Sequence, residues 1–154
     1  MVGHLDPDRL TPGILDGAAE GAFRYGACSA LAIALHDATG WPIVAITDAH
    51  NVHDGRAGGG SALHWTVRRP DGLLVDVAGA HEPARLVAEY MDEADDGAAA
   101  WGLSSRADAE EWYREGASSA IPLALARTFV DAVVARAAER PPNRVEADDA
   151  SPTP

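Results

Sequence analysis

A single cysteine, Cys28, stands where Tyr25-Gly26-Ala27 gives way to a run of strong helix formers, Ser29-Ala30-Leu31-Ala32-Ile33-Ala34-Leu35. A helix start offers unpaired backbone N–H groups and the positive end of the helix dipole, and both favour thiolate over thiol. The thiolate is the attacking species, and the same N–H groups can form an oxyanion hole. A cysteine nucleophile needs a base, and the base needs a partner to orient it. His64 lies 36 residues beyond Cys28, and Asp76 a further 12 residues on. Leu63, Trp65 and Val67 alternate with His64, Thr66 and Arg68 as a strand does. Pro70-Asp71-Gly72 is a turn signal and Leu73-Leu74-Val75-Asp76-Val77 the returning strand, so 63–77 reads as a β-hairpin. A short hairpin register pairs 64 with 76 or 77 and brings the carboxylate to the imidazole. Taken one by one, the three residues also fit a buried structural cysteine, a half-exposed strand histidine and a strand-end aspartate. As an ordered set they suit acyl transfer.

Other residues compete for a functional role. His50, His53 and Asp54, with His64, offer imidazole and carboxylate ligands for zinc or nickel. They fall in 48–60, a polar stretch ending in Gly58-Gly59-Gly60 that reads as a solvated loop. Between nucleophile helix and histidine strand, such a loop can also gate a cleft, with His50 and His53 as substrate contacts. His36 and His81 read as ordinary surface or core histidines. The chain has neither a G-x-G-x-x-G nor a P-loop motif, so no cofactor is expected. With one cysteine there is no intramolecular disulfide and no multi-cysteine metal site.

The elements that must hold these residues are mixed. Thr11-Pro12 reads as the cap of a short helix over about 12–20, and Cys28 to about Ala38 as a buried helix ended by Gly40. Residues 42–47 have the β-branched content of a buried strand. The second half reads as helical, over about 83–91, 105–115 and 121–139. In the last of these, Leu125, Phe129, Val133 and Ala137 recur at four-residue spacing as a core stripe. The expected fold class is α+β: a Cys-headed helix on a small antiparallel sheet of three or more strands (42–47, 62–68, 72–78), with additional C-terminal helices. One domain spans 1–140, and the proline-rich, acidic 141–154 reads as a disordered tail.

Gly26-x-Cys28 opening an apolar helix, then Thr39-Gly40-Trp41-Pro42, His64-Trp65-Thr66-Val67 and Pro70-Asp71-Gly72-Leu73-Leu74-Val75-Asp76, resembles the core of the transglutaminase-like and papain-like cysteine enzymes. The resemblance covers about residues 20–80. It implies a Cys-headed helix packed on an antiparallel sheet, with Cys28 as nucleophile, His64 as general base and acid, and Asp76 as the group that orients His64. Papain-type peptidases place a glutamine before the cysteine, and this chain has no glutamine. Backbone N–H groups would then line the oxyanion hole, helped by Tyr25 or Ser29, with Trp65 a further oxyanion or substrate contact. The activity implied is that of a peptidase, deamidase or transamidase.

The 154-residue chain carries a formal net charge of −12, and all twelve of its cations are arginine, as a GC-rich bacterial genome would encode. Such acidity disfavours nucleic acid and anionic membranes, and favours a protein or peptide substrate that is basic or neutral. It also admits a non-enzymatic alternative, an acidic interaction or antagonist protein on a degenerate cysteine-enzyme fold. Asp92, Glu93, Asp95 and Asp96 form one acidic cluster, read as a solvated face. No apolar run approaches the ~20 residues that span a bilayer, and residues 1–8 have no signal-peptide pattern, so the expected location is the cytoplasm.

Overall fold

The computed structural model describes residues 5–58, 62–95 and 97–139. Its centre is a helix, α2 (Cys28–Thr39), buried without interruption from Ser29 to Leu35. A helix apolar all round needs cover on every side. A sheet covers one flank. The other is covered by α1 (Gly17–Tyr25), α4 (Arg106–Glu115), α5 (Leu123–Arg127) and α6 (Val130–Glu139). Gly40, in the left-handed conformation at φ 78°, ends α2 and donates its N–H to the His36 carbonyl.

The strands are β1 (Ile43–Asp48), β2 (Val52–His53), β3 (Arg56–Ala57), β4 (Ala62–Arg68), β5 (Leu74–Asp76), β6 (Gly79–His81) and β7 (Ala99–Leu103). They form one sheet in the order β2-β3-β7-β1-β4-β5-β6. All neighbours are antiparallel except β3 and β7. The α+β class stands, but among the described residues the sheet has seven strands and is mixed rather than small and wholly antiparallel. Ile43, Ala45, Trp65, Val67 and Val75 join the core cluster that contains α2. On the other face Val44, Ile46 and Leu74 pack with Leu86, Val87 and Tyr90, from α3 (Pro83–Ala88) and the turn after it.

Several boundaries depart from the sequence expectation. The first helix begins at Gly17, because the Asp16 carboxylate accepts the Ala19 N–H and caps it there, in place of Thr11-Pro12. The expected loop at 48–60 is a short helical turn followed by the β2–β3 hairpin, which reverses at Asp54 and Gly55, both at positive φ. Residues 59–61 lie outside the described residues, as does the expected tail at 141–154. The second half is not wholly helical. Ala99-Ala100-Trp101-Gly102-Leu103 has weak strand propensity, yet it pairs with β1 along its whole length. At Gly102 a Cβ would meet the Ala57 nitrogen at 2.6 Å, so glycine there lets the β2–β3 hairpin close onto β7. The expected long helix over 121–139 breaks around Thr128-Phe129 into α5 and α6.

Phe23 ties α1 into this core, fully buried and edge-on to Phe129 with ring centroids 5.1 Å apart. Phe23→Ala is expected to cost about 3–5 kcal/mol of unfolding free energy, read from urea denaturation.

Candidate active site

The α2 N-terminus, β4 and the β5–β6 turn converge on one buried carboxylate. Asp76 Oδ2 accepts from His64 Nε2 at 2.9 Å. Its Oδ1 accepts from His81 Nε2 at 2.7 Å and from the Ala78 N–H at 2.9 Å. Gly79, at φ 121°, permits the tight reversal that pairs Asp76 with Gly79 and folds β6 back on β5. From α6, Arg136 donates to the Val77 carbonyl at 3.0 Å and fixes the same turn.

The hairpin register differs from the expected one. Val67 faces Val75 and Arg68 faces Leu74, which sets Thr66 opposite Asp76. His64 therefore reaches Asp76 along the diagonal, two residues from the direct pair. A strand's period of two keeps both on one face, and the imidazole spans the extra distance. The Thr66 hydroxyl donates to the Val75 carbonyl across the same pair of strands.

His64 has no exposed side-chain surface and stacks on Tyr90, with ring centroids 4.9 Å apart and planes 15° apart. Burial alone would lower its pKa. The hydrogen bond to Asp76, then the neighbouring Cys28 thiol and the charges of both groups, reverse that and push it up to about 10. Burial would likewise raise Asp76, but the hydrogen bonds from His64 and His81 prevail and hold it well below the usual carboxylate range. The pair is thus an imidazolium beside a carboxylate at neutral pH. His64 Nδ1 has no partner that meets hydrogen-bond geometry, although Cys28 acts on the ring. Tyr90 is raised too, by burial first and then by the negative charges of Asp76 and Cys28, so it remains a neutral phenol.

Cys28 is partly exposed and opens α2 behind Ala27, which offers no side chain to cap the first-turn N–H groups. It forms part of the wall of a cleft of about 780 Å³. Tyr25 and Trp65 line that cleft as well. Ser29 does not: it is buried and its hydroxyl donates to Ser118 Oγ at 3.0 Å, away from the cleft where an oxyanion contact was expected of it. His50 and His53 sit in and beside the β2–β3 hairpin, separated from β4 in the sheet by β3, β7 and β1. No residue of 48–58 lines the cleft, so the expected gating loop is a hairpin at the far sheet edge. Among the described residues no three histidine, cysteine or acidic side chains gather as a metal-holding group.

Sequence reasoning missed three residues around this site. His81, read as ordinary, is the second imidazole on Asp76, and its spacing of five from that carboxylate was the available signal. Tyr90, a lone aromatic in an acidic stretch, covers His64. Trp112 packs tilted against Trp65 at 6.4 Å and forms part of the cleft wall. No protein-family model, curated protein or solved structure matches the chain.

Linkage fixes the sign of the site's effect on stability. A histidine whose folded pKa lies above its ordinary 6.5 stabilises fully below pH 6.5 and loses that contribution as pH rises toward about 10. Melting temperatures of wild type and His64→Gln, compared across that window, are expected to differ most at its acid end and to converge at its alkaline end.

Proposed function

We propose that the protein is a cysteine-dependent acyl-transfer enzyme of the transglutaminase-like and papain-like kind, acting on an amide or ester of a protein or peptide. The observation that carries this reading is the buried His64–Asp76 pair at 2.9 Å, with the Cys28 thiol acting on the same ring at the wall of an open cleft. A carboxylate buried between two histidines is costly to retain for stability alone, since an apolar cluster of equal volume does as well.

In the reaction the Cys28 sulfur attacks the carbonyl carbon, forming a C–S bond while the carbonyl oxygen takes up negative charge. The N–H groups at the uncapped start of α2 stabilise that oxyanion. Collapse breaks the bond to the leaving nitrogen or oxygen, which takes the proton from His64 as it departs. A water, or an amine, then gives a proton to His64 and attacks the thioester. The C–S bond breaks and the thiolate–imidazolium pair returns. Asp76 holds the ring by Nε2 throughout, leaving Nδ1 for the sulfur side. Tyr90, stacked on the ring, keeps its proton from bulk water.

The charge of −12 favours a basic or neutral target. No helix among the described residues is long and apolar enough to cross a membrane, and the cytoplasmic location expected from the sequence stays part of the proposal. Iodoacetamide should alkylate Cys28 rapidly well below the ordinary thiol pKa of ~8.5, and His64→Ala should slow this by about tenfold or more. Asp76→Asn should slow it less. Slow labelling indifferent to His64, with capture of a basic partner left unmodified, would instead support an acidic interaction protein.

A further inference from the structure

We infer that the α1 side of the cleft is the acyl-side pocket for a peptide carbonyl bearing a bulky apolar side chain, with Gly21 of α1 setting its depth. This rests on the acyl-transfer reading of Cys28. The leaving group must lie where His64 can protonate it, and His64 and Asp76 form no part of the cleft wall. The wall runs from Cys28 in two directions, over Gly26 and Tyr25 to α1 and over Leu63, Trp65 and Tyr90 beside His64, so the α1 part is the one left for the acyl side. About 780 Å³ is far more than a carbonyl needs and falls in the range of pockets that enclose whole ligands.

Its chemistry is sorted by depth. The four charged residues of the wall, Asp6, Arg9, Arg24 and Glu93, are all exposed at the rim. Leu10, Trp65 and Tyr90 are its buried residues, while Ala22, Ala62 and Leu63 are half-buried. A charged side chain would lose its hydration against them without gaining a partner. Trp65, only 1% exposed, also has an indole N–H with no acceptor. A buried indole N–H usually finds a partner, and this one is enclosed beneath the wall rather than open to the cleft.

On α1, Gly17, Ala18, Gly21 and Ala22 share the face toward the cleft. Glycine is among the poorest residues for a helix interior. Gly21 has neither a positive φ nor a close neighbour to require it, because a Cβ there would meet nothing within 4 Å. What its missing side chain leaves open is the cleft. A larger residue would extend into that space without disturbing the helix.

The test uses p-nitrophenyl esters of N-acetyl-phenylalanine and N-acetyl-glycine with wild type, Gly21→Ala and Gly21→Leu. Wild type should favour the phenylalanine ester in kcat/KM by roughly tenfold or more. That ratio should fall in Gly21→Ala and approach unity in Gly21→Leu, with melting temperatures no lower than wild type. A ratio near unity in wild type, or one unchanged by Gly21→Leu, overturns the inference. If neither ester acylates Cys28, the acyl-transfer reading fails, and the pocket is judged by binding alone. Cys28→Ala should then bind N-acetyl-phenylalaninamide in preference to N-acetyl-glycinamide, followed by tryptophan fluorescence, and lose the preference when Gly21→Leu is added. Equal binding of the two amides overturns it.

Discussion

Burying a carboxylate costs several kcal/mol unless donors surround it, and Asp76 meets that demand with groups from three successive pieces of chain. His64 comes from β4, the Ala78 N–H from the turn after Asp76 itself, and His81 from β6. These bonds hold β4, β5 and β6 in one arrangement, although only two residue pairs join β4 to β5 in the ladder. A short sheet edge thereby becomes a rigid mount for an imidazole. The charge relations follow from the same bonds: two donors keep the carboxyl ionised despite burial, and the ionised carboxylate in turn keeps His64 protonated.

Cys28 is placed by a different force. The residues that follow it are apolar on every side, so α2 is fixed by packing against the sheet and four other helices rather than by any polar contact at its head. The absence of a side-chain cap at Ala27 leaves the first-turn N–H groups without local competition. Hydrophobic burial therefore sets where the sulfur stands, and the polar network sets where the imidazole stands. The candidate site forms where the two meet, which is why Cys28, His64 and Asp76 come from both helix and sheet.

The cleft depends on what α1 lacks. Phe23 anchors one face of that helix in the core, and the small residues of the other face leave a volume beside the sulfur. Leu5 packs within 3.1 Å of where a Gly26 Cβ would stand, so the segment before α1 forms a wall of the same cleft close to Cys28.

The sequence by itself determined the buried Cys28 helix, the strand at 43–48, the hairpin carrying His64 and Asp76, and the grouping of these into an α+β domain. Those signals are local: periodicity, turn chemistry and the order of residue types, all of which act over a few neighbours. Tertiary structure alone decided the rest. The hairpin register was one or two residues off because the turn closes between Arg69 and Leu73, centred on Asp71, and so sets residue 64 opposite 78. Strand β7 was invisible because alanine and glycine carry little strand propensity, and its partner β1 lies more than fifty residues away in the chain. His81 looked ordinary because its role exists only after Gly79 folds β6 back. Ser29, adjacent to Cys28 in sequence, faces Ser118, since one step along a helix turns a side chain by about 100°.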